Sequence, residues 1–179
     1  VVRWAPLVPN AARVLDLACG FGRHARYFAG RGCRVMAVDR DPAALAALAG
    51  VPGVTARQAD LEGAAWPFSA GGFDAVVVTN YLHRPLFGPI VDVLAPGGVL
   101  LYETFMLGNE RFGKPSNPDF LLRPGELLEA VGARLAVVAF EQGWVERPGP
   151  AVIQRLCAVR GPVDRVKLPA EASAGDEIS

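Results

Sequence analysis

Lysine is nearly absent from this 179-residue chain: of 18 basic residues only Lys114 and Lys167 are lysine, and 18 acidic residues balance them. The arginine and alanine bias reads as genome composition. With zero formal charge and a pI near 6.9, the chain has no broad electrostatic grip on nucleic acid or anionic lipid. Cysteine is scarce and odd in number: Cys19, Cys33 and Cys157 form no pair with metal-ligand spacing. His24 and His83 are the only histidines, too few to complete a tetrahedral zinc site, so no metal is expected. A reduced, cytoplasmic setting follows. No apolar run reaches the roughly 18 residues of a membrane span, because arginine, aspartate, proline or glycine interrupts each one. The start, Val1-Val2-Arg3-Trp4, has neither a signal-peptide pattern nor an initiator methionine, which leaves room for a missing native N-terminal segment.

What is present is a chain 51% hydrophobic, long enough for one domain, here expected over residues 1–160. Short β-rich runs alternate with helical stretches, the sequence form of a parallel α/β sheet. Strands are expected at 14–17, 35–38, 54–58, 73–79, 99–104, 134–140 and 151–159. Helices are expected at 23–29, at 43–48 behind the N-cap and proline Asp41-Pro42, at 86–94, and after Pro124-Gly125-Glu126. The unbroken valines of Phe73-Asp74-Ala75-Val76-Val77-Val78-Thr79 suit a strand buried on both faces. Residues 105–123 have little periodicity, and a loop that long in a single domain points to function or mobility. The turn-rich stretch 142–150 suits an antiparallel hairpin. From Gly161 onward the expectation is a disordered tail, 161–179.

The most informative stretch is Val14-Leu15-Asp16-Leu17-Ala18-Cys19-Gly20-Phe21-Gly22-Arg23-His24-Ala25. Gly20-x-Gly22-x-x-Ala25 matches a dinucleotide fingerprint, with Asp39 ending the second strand to hold a ribose. The acid on the first strand separates the readings. Asp16 would repel a diphosphate at the helix N-terminus, and it suits a cationic group such as an ammonium or sulfonium.

The Asp-x-Ala-x-Gly-x-Gly run resembles the first motif of class I S-adenosylmethionine-dependent methyltransferases, with Ala18 in place of the usual first glycine. Three further segments repeat the resemblance in order: Val35-Met36-Ala37-Val38-Asp39, Ala59-Asp60-Leu61, and Phe73 to Asn80. Leu94-Ala95-Pro96-Gly97-Gly98-Val99-Leu100 is similar to the family's turn into the fifth strand. Together they cover about residues 13 to 104. The Gly20 to His24 run is also similar to the tellurite-resistance and thiol methyltransferase group.

The resemblance implies a Rossmann-like three-layer sandwich around a seven-stranded, mostly parallel sheet with an antiparallel last strand. It implies S-adenosylmethionine as cofactor and S-adenosylhomocysteine as product. Asp16, Ala18, Cys19, Gly20, Gly22 and Arg23 would surround the cofactor at the glycine loop. Asp39 would bond the ribose hydroxyls, or else cap a helix, a role Asp41 fills better. Asp60 and Leu61 would hold the adenine edge, unless Asp60 is only a loop-surface acid. Arg40 would stack on the adenine or stay solvated. Asn80 would face the cofactor's amino group or methyl end, and Cys19 reads as a small filler rather than a nucleophile.

Methyl transfer needs alignment, water exclusion and sometimes a proton acceptor. Candidates lie beyond the fourth and fifth strands. His83, as a histidine near the mouth, is a candidate base, or it shapes the turn before Pro85. Tyr81 would wall the pocket. Glu103 is a second acid, or the anchor of Arg84 or Arg111 in an ion pair. Residues 105–118 form a lid over the acceptor, or their aromatics seal the core. The segment after Asn80 is not Asn/Asp-Pro-Pro-Tyr, which argues against nucleobase and glutamine-amide substrates.

The expected acceptor is a small molecule. RNA or protein methylation is the rival within the class, and nucleic acid is disfavoured by charge. A nicotinamide oxidoreductase is the rival outside it, opposed by Asp16 and by the lack of any Tyr-x-x-x-Lys. A non-catalytic cofactor-binding module is the third reading. No Gly-x-Ser-x-Gly supports a hydrolase.

Overall fold

The four strand runs expected in the first half of the chain line up as neighbours. In the computed structural model, which describes residues 1–170, the strands are β1 (Arg13–Leu17), β2 (Arg34–Asp39), β3 (Val54–Gln58), β4 (Phe73–Thr79), β5 (Leu94–Phe105), β6 (Ala136–Val145) and β7 (Ala151–Val159). They form one seven-stranded sheet in the order β3-β2-β1-β4-β5-β7-β6. β1 to β5 pair in parallel, and β7 inserts antiparallel between β5 and β6. This is the Rossmann-like sheet expected from the sequence, with the last strand reversed.

Helices α1 (Arg23–Gly30), α2 (Pro42–Ala46), α3 (Phe87–Asp92) and α4 (Glu126–Val131) supply the outer layers. One core joins Leu15, Leu17, Val76, Val78, Leu100, Tyr102 and Leu156 to Ile90, Leu127 and Val131 of α3 and α4. The other joins Val14, Ala75, Val77, Leu101 and Cys157 to Phe28 of α1 and Leu45 of α2. Alternation along each strand assigns the residues to the two faces. Ala75 to Val78 of β4 are all fully buried, and each valine there contributes about 1.5–3 kcal/mol. Beside them Asp74 accepts hydrogen bonds from the Arg13 backbone N–H and guanidinium, which holds its carboxyl below the usual range.

The sequence reading and the structure differ where pairing overrides local preference. The strand expected at 134–140 runs on to Val145, because Gln142, Gly143, Trp144 and Val145 find partners in Gln154, Ile153, Val152 and Ala151. The turn then shrinks to residues 146–150. An unanticipated 3-10 turn, Val2–Leu7, buries Ala5 against the second core. Residues 171–179, the end of the expected tail, lie outside the described residues. The beginning of that segment is ordered differently from the expectation: Val163–Arg165 forms a 3-10 turn and Val166 packs on the second core. Among the described residues no helix is long and apolar enough to cross a membrane.

Candidate functional site

Going from β1 to β2 and from β1 to β4 reverses the winding of the sheet, which opens a crevice at the strands' C-terminal ends. A cleft of about 270 Å³ lies there, lined by Ala18, Asp39, Arg40, Ala59, Asp60, Leu61, Glu62, Asn80 and Tyr81. Each of the first four strands contributes: Ala18 follows β1, Asp39 ends β2, Ala59 to Glu62 follow β3, and Asn80-Tyr81 follow β4.

The backbone around this cleft is unusual. Ala18 and Asn80 both sit at positive φ, 50° and 54°. An L-residue in that region carries roughly 1–2 kcal/mol of strain. The alanine at the expected first-glycine position is therefore held where glycine would be relaxed. Gly20, at φ 53°, donates its N–H to Asp39 Oδ2 at 2.8 Å. Gly22 caps α1 at φ 75°, and a Cβ there would lie 2.3 Å from Cδ2 of the buried Leu48. Space and conformation both demand glycine at that position.

Asp39 also accepts the Asp41 N–H at 2.9 Å, so its carboxylate ties the glycine turn to the end of β2 while bordering the cleft. Asp41 caps α2 by accepting from the Ala43 N–H, which leaves Asp39 free of that task. Asp60 accepts the Glu62 N–H at 3.0 Å and still lines the cleft. Arg40 is exposed at the rim.

Asp16 is 1% exposed, and among the described residues neither carboxylate oxygen has a hydrogen-bond partner. Burial pushes its pKa up to about 7, opposed by the Ala25 amide of α1 and by Arg23, and reinforced by Asp39. An orphaned carboxylate of this kind is costly unless a cationic or donor group of a ligand meets it. The Cys19 thiol is pushed up to about 12, chiefly by burial, which removes it as a nucleophile. The Tyr81 hydroxyl is buried and meets no hydrogen-bond criterion among the described residues, and burial together with the nearby Glu62 carboxylate raises its pKa.

The structure does not gather His83, Tyr81 and Glu103. Only Tyr81 lines the cleft. His83 stands at the head of the 3-10 turn Arg84–Leu86, its carbonyl accepts the Leu86 N–H, and among the described residues its ring makes no hydrogen bond. Glu103 pairs with Arg155, Oε2 to Nε at 2.6 Å, and not with Arg84 or Arg111. Those two are engaged elsewhere: Arg84 binds the buried Glu126 at 2.6 Å, and Arg111 donates to the Gly108 carbonyl.

The segment 105–123 is tied to the sheet and to itself. Met106 bridges to Leu122, and buried Asn109 accepts from the Val152 N–H and donates to the Pro115 carbonyl. Phe112 is partly exposed and stacks on the exposed Trp144 of the β6–β7 hairpin.

The sequence reading passed over His24. Its Nδ1 lies 3.3 Å from Thr79 Oγ1, at the end of β4, and burial with the Arg23 charge lowers its pKa to about 4. Its place in the first turn of α1, directly after the glycine loop, was the available signal.

Residues 14–98 match a family described as "Methyltransferase domain". No curated protein matches the chain in sequence. Among solved structures it is similar to TehB from Haemophilus influenzae, with a TM-score of 0.75 and 18% identity over 89% of this chain and 60% of that one. An S-adenosylmethionine dependent methyltransferase from Mesorhizobium loti gives 0.70 and 22% over 89% and 98%. The N-methyltransferase NodS from Bradyrhizobium japonicum gives 0.68 and 18% over 90% and 94%.

Proposed function

We propose that this chain is a class I S-adenosylmethionine-dependent methyltransferase that moves the methyl group to a small-molecule acceptor and holds the cofactor in the cleft at the ends of β1 to β4. Asp16 carries the reading of the site. A buried, unpartnered carboxylate under a glycine turn fits the ammonium of the cofactor's methionine part, and it opposes a dinucleotide's phosphates. When bound, the cofactor supplies a methyl carbon made electrophilic by its sulfonium.

The chain's own groups then divide the work. Asp39 accepts from the ribose hydroxyls, its orientation already fixed by the Gly20 and Asp41 N–H groups. Asp60 and the Leu61 N–H hold the adenine edge, and Arg40 covers the ring from the rim. Ala18, Cys19, Gly20, Gly22 and Arg23 bring the loop close to the ligand, and Asn80 bounds it on the β4 side. Tyr81 walls the end that holds Asp60 and Glu62, and its raised pKa suits packing rather than proton transfer.

Zero formal charge supports a small acceptor over nucleic acid. The likeness to the N-methyltransferase NodS over 94% of that chain is in keeping with a single-domain fold. Calorimetric titration with S-adenosylhomocysteine beside NADH tests the reading. Saturable binding of the former alone is expected, and binding of NADH alone would overturn it.

A further inference from the structure

A second cleft, of about 490 Å³, opens at the edge of the sheet opposite the cofactor cleft. β5 runs parallel to β4, so its first residues lie at the edge away from the strands' C-terminal ends. Antiparallel β7 finishes beside them, with Val159 opposite Val99. Both valines are buried in the second core and line the floor of this cleft. Leu7 and Val166, which pack on the same core, line its sides. The volume falls in the range of about 300–1,000 Å³ found for small-molecule sites.

Three cations join this apolar lining, Arg160, Arg165 and Lys167, and no acidic residue does. Arg160 is fixed by backbone alone: its guanidinium donates to the Asp92 carbonyl at 3.1 Å and to the Leu94 carbonyl. Neutral carbonyls orient it without cancelling its charge. Arg165 and Lys167 are exposed, and among the described residues neither forms an ion pair. The nearest acids in sequence are not available to them as lining: Asp164 lies outside the cleft, and the Asp92 carboxylate pairs with Arg134.

Single unpaired cations on a surface are ordinary. Three of one sign around buried aliphatic side chains are not, because a low-dielectric wall concentrates their field. The cofactor cleft has the opposite balance, with Asp39, Asp60 and Glu62 against Arg40. Zero formal charge over the whole chain thus conceals two clefts of opposite sign at opposite edges of one sheet.

We propose that this second cleft is a binding site for a small organic carboxylate, its apolar body resting on the Val99 and Val159 floor between Leu7 and Val166. Its charged end is received by Arg160, Arg165 and Lys167, the guanidinium fork matching the two carboxylate oxygens. An inorganic anion would leave the aliphatic floor unused, and an amine would meet three like charges. Binding here is independent of methyl transfer.

Fluorine NMR on the full chain tests this with 4-fluorophenylacetate and 4-fluorophenethylamine, which share an apolar body and differ in the sign of their charge. The carboxylate should bind saturably with a Kd below about 1 mM, and the amine at least tenfold more weakly. Neither inorganic phosphate nor S-adenosylhomocysteine should displace it. Arg165→Gln combined with Lys167→Gln should weaken the carboxylate at least fivefold without moving the melting temperature. No binding of the carboxylate, equal binding of the amine, or unchanged affinity in the double variant would each overturn the proposal. Displacement by S-adenosylhomocysteine would place the probe in the cofactor cleft and overturn it too. So would binding that appears only when Glu171, Asp176 and Glu177 are changed to their amides, since the chain's own acids would then be the occupant.

Discussion

The two halves of the sheet build their polar features in different ways. From β1 to β4 the cleft is made by backbone: the glycine turn, the left-handed Ala18 and Asn80, and carboxylates at or just beyond strand ends. From β5 to β7 a polar row, Glu103, Arg155 and Glu141, is made by side chains that meet only through strand register and an antiparallel insertion. Backbone chemistry constrains residues close together in sequence, whereas register joins residues 14 and 52 positions apart, as in Arg155 with Glu141 and with Glu103. The first kind of feature shows in a sequence and the second does not.

Gly22→Ala would break the first half most severely. A Cβ overlapping Leu48, added to a positive φ, should cost about 2–3 kcal/mol, read as a lowered denaturation midpoint. A midpoint like that of wild type would mean that the turn adapts and that its glycine spacing is not structural.

Asp16→Asn separates binding from folding. The folded pKa of Asp16, about 7, stands above the 3.8 of an ordinary aspartate, so the folded state holds the proton more tightly than the unfolded one. Its contribution therefore favours folding at low pH and is lost as pH rises between about 4 and 7. Removing the charge should stabilise the ligand-free chain at pH 8 by about 2 kcal/mol, with little change at pH 4. Thermal melts across that range check the sign. Destabilisation at pH 8 would show that the carboxylate has a partner in the free protein.

Asp39→Ala should weaken S-adenosylhomocysteine binding at least tenfold, about 1.4 kcal/mol, by removing both a ligand acceptor and the clamp on the Gly20 N–H. Unchanged affinity by calorimetry would remove the ribose assignment. The smallest effect is expected at Ala18→Gly, where relief of the left-handed alanine outweighs the entropy glycine adds to the unfolded chain. The net gain should be up to about 1 kcal/mol. A lowered melting temperature would mean that the methyl group packs usefully.

Much of the fold was legible because its signals are local. The valine run of β4, the Asp41-Pro42 start of α2 and the glycine turn after β1 each act over a few residues, and the strand-to-helix alternation imposes the parallel order. Within the cleft, Asp39, Asp60 and Asn80 could be placed because each sits at or just beyond the end of a recognisable strand. Glu103 was visible as an acid near the fifth strand's end, but its partner was not. Arg155 reaches it only because β7 runs antiparallel beside β5, and nothing near Glu103 in the chain encodes that. His24 was hidden for a similar reason, since its contact with Thr79 spans 55 residues and depends on where α1 lies over β4. His83, the more conspicuous histidine, stands on the turn after β4 and is absent from the lining of the cleft.

The most direct test of the account compares two ligands on two proteins: S-adenosylhomocysteine and 5′-methylthioadenosine, which lacks the amino-acid part, titrated into wild type and Asp16→Asn at pH 8. If Asp16 meets the cofactor's ammonium, the substitution should weaken S-adenosylhomocysteine at least tenfold and leave 5′-methylthioadenosine within about twofold. Equal losses for both ligands, or no loss for either, would contradict it.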